Sequence, residues 1–125
     1  MPYELSFTKK VTVDDESIYI NGCCWGGDVV RDHLLPLIQS KYQQVQTNQE
    51  DWGWFIWFKQ GPVSLALDIH TDDPETGEFR IILTSRKKEL FFSHQEDTPQ
   101  LEHLRDLVVG DLERWAGAVK VEAMQ

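Results

Sequence analysis

Apolar and polar residues alternate through the middle of this chain. Val63, Leu65, Leu67 and Ile69 interleave with Ser64, Ala66, Asp68 and His70. A strand turns successive side chains to opposite faces, so this period predicts a strand over 63–70 with one apolar and one polar face. Phe79, Ile81 and Leu83 set the same period within 79–85. Trp52 to Phe58 is apolar at nearly every position, with Trp52, Trp54, Ile56 and Phe58 on one side and Gly53, Phe55, Trp57 and Lys59 on the other. Aromatic residues fit a pleated surface, and large groups on both sides predict a strand at least partly covered on both faces. Gly61-Pro62 and Asp72 to Gly77 have turn composition, because Pro presets φ, Gly accepts positive φ and Asp bonds nearby amides. Two short connections in succession predict an antiparallel meander over 50–86.

The flanks supply further elements. Tyr3, Leu5 and Phe7 alternate with Glu4, Ser6 and Thr8, a first strand that Val11 and Val13 extend. Ile18-Tyr19-Ile20 reads as a short strand ended by Asn21-Gly22, and Tyr42 to Thr47 as another. Asp28 reads as the N-cap of a helix whose apolar face is Val30, Leu34, Leu37 and Ile38. Pro36 lacks a donor and clashes with the carbonyl of Asp32, which predicts a kink or a stop near Leu35. Thr98-Pro99 opens the clearest helix, with Leu101, Leu104, Leu107, Val108, Leu112 and Trp115 in one stripe and Gly117 as terminator. Leu90-Phe91-Phe92 reads as an apolar anchor, and Val119, Val121 and Ala123 as a last strand. The sum is one α+β domain over 1–125: an antiparallel sheet of about five strands with two helices packed on one face. The other face is apolar on its central strand and needs a cover, be it a loop, a second copy of the chain or a ligand.

Composition narrows the function classes. Hydrophobic residues make up 41% of the 125, including five Trp and six Phe, which excludes a disordered chain. No apolar run approaches the roughly 20 residues of a membrane span, and MPYELSFTKK has no signal-peptide core, so we expect a soluble cytoplasmic protein. Cys23 and Cys24 are adjacent, an arrangement that supports no disulfide framework and suits a reducing compartment. The net charge of −9 disfavours nucleic acid and anionic membranes and suits a cationic protein partner, although its commonest role is solubility.

Candidate chemistry is sparse. Asp68, His70 and Asp72 share one strand face, where two carboxylates and an imidazole hold a divalent metal or a general base; the ordinary alternative is a solvated strand end. Cys23, Cys24 and His33 lack the spaced pairs of a structural zinc site. Gly22, Gly26 and Gly27 flank Trp25 in a loop that matches no phosphate-binding motif. Arg86, within Ser85-Arg86-Lys87-Lys88, is a candidate clamp for phosphate or carboxylate. Trp54 and Trp57 are candidate pocket walls, with core as the commoner fate of aromatics. The candidate ligand residues are therefore Trp54, Trp57, Asp68, His70 and Arg86. No catalytic motif is recognised, so the reading leans away from an enzyme, and no cofactor or metal is expected.

Glu50 to Phe58, EDWGWFIWF, followed by an apolar hairpin, resembles a family of small uncharacterised bacterial domains with an aromatic strand of this type. In size and charge the chain is similar to some bacterial immunity proteins, which are short, acidic, cytosolic and α+β. The resemblance spans about the middle third of the chain and carries no catalytic signature. It implies a bacterial cytosolic protein. Two functions stand side by side. One is a non-enzymatic binding or accessory module for a protein partner, for instance a cationic toxin. The other is a small-molecule or metal-binding domain using an aromatic pocket with Asp68 and His70. A homodimer formed through the sheet would also cover the second face. A pocket requires a concave aromatic cavity with convergent polar groups; a partner surface requires a flat apolar patch.

Overall fold

The computed structural model describes residues 2–89, 92–95 and 98–124. The alternating stretches form an antiparallel sheet. Its strands are β1 (Tyr3–Thr8), β2 (Gln43–Glu50), β3 (Gly53–Gln60), β4 (Val63–Asp73), β5 (Glu78–Glu89), β6 (Phe92–Gln95) and β7 (Lys120–Ala123). Six run in the order β2-β3-β4-β5-β1-β7, and β6 pairs with the far end of β5. The helices are α1 (Gly27–Lys41) and α2 (Pro99–Ala116). The α+β architecture is as the alternation predicts, with β4 and β5 longer and the strands more numerous.

Register decides the faces. Phe58 pairs with Leu65, Leu67 with Leu83, and Leu5 with Ile81, so the apolar halves of four strands lie side by side. The helices cover that side. In α1 Val30, Leu34 and Ile38 recur every fourth residue, are wholly buried, and rest over β3 and β4. In α2 Leu101, Leu104, Val108 and Leu112, spaced by three or four residues, are buried over β5 and β1. Thr98 caps α2 by accepting from the Leu101 amide at 3.1 Å, and Pro99 occupies the first turn, where no donor is needed. Gly117 ends it at φ 92°. Between the helices His33 stacks on Trp115 at 4.1 Å and places Nε2 2.7 Å from Asp111 Oδ2.

Four local expectations are corrected. Pro36 neither kinks nor stops α1, which continues to Lys41. Pro36 lies on the exposed side of α1, while buried Leu34 and Ile38 hold the helix on the sheet. Asp28 is not the N-cap; Gly26 is, at φ 80°, and the Asp28 carboxylate accepts from Tyr19 Oη at 2.6 Å. Ile18-Tyr19-Ile20 is no strand: a 3-10 turn spans Glu16–Ile18, capped by Asp15, and Ile20 is exposed. Val11 and Val13 lie beyond β1, which ends at Thr8. The apolar anchor read at Leu90 and Phe91 lies outside the described residues.

The loop before α1 is fastened to the sheet. Trp54 Nε1 donates to the Cys24 carbonyl at 2.8 Å, Thr71 Oγ1 to the Trp25 carbonyl at 2.8 Å, and Cys24 Sγ to the Glu50 carbonyl at 3.0 Å. At the start of β3 the backbone comes so close to β4 that a Cβ on Gly53 would lie 2.0 Å from the Ile69 carbonyl oxygen. Its φ of 153° also excludes ordinary side chains. Gly53→Ala is expected to cost about 2 kcal/mol or more in chemical denaturation, through the clash and the strained φ. Gly22→Ala, where no atom lies within 4 Å, is the near-neutral control. Equal midpoints for the two variants would contradict the close approach.

Candidate functional site

The sheet face away from the helices carries the second set of alternating residues. Antiparallel register arranges them in rows. Lys59, Ser64 and Arg86 form one row; Gln46, Trp57, Ala66 and Thr84 the next; Asn48, Phe55, Asp68 and Ile82 the third. Successive rows are about 7 Å apart along the strands. Ala66 and Ser64 are short, whereas Trp57, Lys59 and Arg86 beside them are long. The difference in height leaves a hollow over β4, a pocket of about 560 Å³. Its floor is Ala66 and Ser64, Trp57 walls one side, Thr84 and Arg86 line the other, and Asp68 closes one end.

The aromatic wall is held in place. Trp57 stacks on Phe55 with ring centroids 3.9 Å apart, and its Nε1 donates to Asp68 Oδ1 at 3.0 Å. Phe55 is buried on this face and Trp57 is 40% exposed, so the indole both covers Phe55 and faces the hollow. Burial pushes the Asp68 carboxyl above its ordinary range, against the opposing pull of the Trp57 hydrogen bond and of His70. Burial also lowers His70, and the guanidinium of Arg80 lowers it further.

The candidate residues named from sequence separate into three groups. Trp57, Asp68 and Arg86 come together in the pocket. His70 is on the same face but one row farther on, against Trp52 at 5.1 Å between ring centroids, and does not line the hollow. Trp54 is a correction. It is buried on the helix side under Arg31, whose guanidinium lies 4.8 Å from the ring. Odd and even positions of one strand cannot share a face, so Trp54 and Trp57 cannot wall one cavity. Trp52 also departs from its expected side: it belongs to the β2–β3 turn, where the strand period no longer applies, and it meets His70 on the open face.

The Asp68, His70 and Asp72 triad does not converge. Asp72 is engaged by Arg80 Nε at 3.1 Å, and Arg80 reaches on to Glu4 at 3.0 Å. Among the described residues no group of three or more His, Cys, Asp or Glu side chains is placed to hold a metal ion. Cys23 is exposed and Cys24 buried, with His33 elsewhere, stacked on Trp115. Alternation also divides the basic run: Arg86 points to the open face, and Ser85, on the other side, is buried beside Thr98 Oγ1 at 3.2 Å.

Several pocket residues were not singled out from sequence: Gln44, Gln46, Lys59, Ser64, Ala66 and Thr84. Ser64, Ala66 and Asp68 were already visible as one polar face of β4. The glutamines gave no signal, because β2 is an edge strand with a register shift between Gln43 and Gln46 and Gln44 at φ 53°.

The fold is thus an open antiparallel sheet with helices on one face and a pocket on the other. No protein-family model, curated protein or solved structure matches the chain. No described helix is long and apolar enough to cross a membrane.

Asp68 and His70 give opposite pH dependences. A carboxyl whose folded pKa is raised binds its proton more tightly when folded, so stability falls as pH rises from about 4 through the folded value. For His70 the folded value is depressed, so stability is lost as pH falls through about 6.5. Asp68→Asn removes the first slope and, by taking away a charge that raises His70, leaves that imidazole more depressed, which acts in the same direction. Its melting temperature relative to the parent is expected to rise between about pH 4 and pH 7 and to converge with it below about pH 3. Thermal melts across that range check this; an offset constant at every pH contradicts it.

Proposed function

We propose that the protein is a binding module that holds a small molecule in the pocket on its open sheet face. The carrying observation is the pocket itself: about 560 Å³, aromatic on one wall, with Asp68 and Arg86 converging on it. That volume lies within the range of small-molecule sites, which are concave, partly apolar and furnished with a few placed polar groups. The exposed indole of Trp57 is the main contact, because a flat ligand laid on it buries apolar area on both partners. The absence of a recognised catalytic motif favours binding over turnover. Asp68 would act as an acceptor and Arg86 as a donor, neither as a nucleophile.

A protein-partner reading has a separate location in its favour. Ile18 and Ile20 are 45% and 57% exposed, next to Asp14, Asp15 and Glu16. An apolar pair beside carboxylates suits a cationic protein surface. A homodimer through the open face would instead occlude Trp57.

Fragment screening by NMR on the nitrogen-15-labelled chain tests the pocket reading. Trp57→Phe identifies the Trp57 indole signal by its disappearance. Flat fragments are expected to shift that signal selectively, and Trp57→Ala to abolish their binding while costing about 2–3 kcal/mol of stability from the lost aromatic pair, the uncovered Phe55 and the lost hydrogen bond to Asp68. Fragments that shift no open-face signal, or a Trp57 indole already protected in a dimer by sedimentation, would remove the reading.

A further inference from the structure

Resting on the pocket reading, we infer that the ligand is a flat molecule with an anionic end, a carboxylate or phosphate, and a hydrogen-bond donor at the opposite end. The polarity of the hollow leads to this. Lys59 and Arg86 flank Ser64 across the sheet, in register, and all three line the same end. Among the described residues neither cation forms an ion pair, as is also true of Lys9, Lys10, Lys41 and Lys87, but these two alone of the unpaired cations line the hollow. Two adjacent unpaired cations repel one another and are relieved by an anion between them. Arg86 offers a planar fork that matches carboxylate and phosphate, and the Ser64 hydroxyl adds a third donor at the floor.

The remainder of the pocket selects shape. Trp57 and Thr84 stand on either side of Ala66, whose methyl group leaves a slot with an aromatic wall, suited to a planar ring. Beyond it, Asp68 uses Oδ1 to accept from the Trp57 indole, and its second oxygen remains to accept from a ligand donor. Cations, slot and carboxylate follow one another along β4 at residues 64, 66 and 68, so a ligand lying along the strand meets all three. The acidic chain, net −9, discourages anions elsewhere on its surface, which concentrates anion recognition at this end of the hollow.

Three matched probes test the inference on the full chain, read from the Trp57 indole signal: 4-aminobenzoate, 4-aminophenyl phosphate and the neutral 4-aminobenzamide. The tighter of the two anionic probes identifies carboxylate or phosphate as the preferred end. That probe is expected to bind about tenfold more tightly than the amide, in line with a charge-assisted bond. Arg86→Gln should abolish that advantage, bringing the anionic probe down to the affinity of the amide, and an unmoved Trp54 indole signal shows that the fold is intact. Equal affinity for acid and amide, an acid advantage that survives both Arg86→Gln and Lys59→Gln, or no shift from any probe overturns the inference. In the first two outcomes the pocket still holds flat molecules, so the binding-module reading stands; fragment screening decides that reading independently.

Discussion

A strand has two faces and no third, and β4 spends them on different tasks. Its odd positions, Val63, Leu65, Leu67 and Ile69, are buried between β3 and β5 and beneath α1. Its even positions, Ser64, Ala66, Asp68 and His70, stand on the open side. Because β4 is central in the sheet, both neighbours must take their register from it, and a slip of one residue would put Asp68 in the core and Leu67 in water. The burial that holds the sheet together therefore also aligns Trp57 with Ala66 and Arg86 with Ser64.

The open face is not simply solvated. Phe55 is buried there, and what buries it is Trp57, stacked 3.9 Å away. Trp57 is tied in that position by its hydrogen bond to the carboxylate of Asp68, itself partly desolvated. Such groups constrain one another, and this restricts the rotamers of the pocket wall before any ligand arrives. The site is thus built on paired strands and not on loops, which favours a fixed shape. At the far end of the same face Glu4, Arg80 and Asp72 form a charge line that leaves His70 apart from the hollow.

Much of the architecture was legible because it depends on periodicity, which needs no knowledge of distant contacts. The alternation in 3–8, 63–70 and 79–85 and the leucine stripe of α2 name their buried faces directly. Where local signals failed, a long-range contact outweighed them. Pro36 argues against a continuous helix, but burial of Leu34 and Ile38 on the sheet keeps α1 whole around it. Ile18 and Ile20 have strand character, yet among the described residues no neighbouring strand pairs with them. β2, rich in glutamine, has a poor strand pattern, and pairing with the aromatic β3 makes it one.

By itself the chain's sequence determined the α+β class, the meander at its centre and the capped C-terminal helix. These follow from side-chain period and turn chemistry, both local properties. Only the tertiary structure decided that Trp54 belongs to the core and Trp57 to the pocket, and that Asp72 is claimed by Arg80. It also brought Lys59 level with Arg86 across Ser64. Those outcomes depend on which residues of separate strands stand opposite one another, and register is set by the collective burial of the whole sheet.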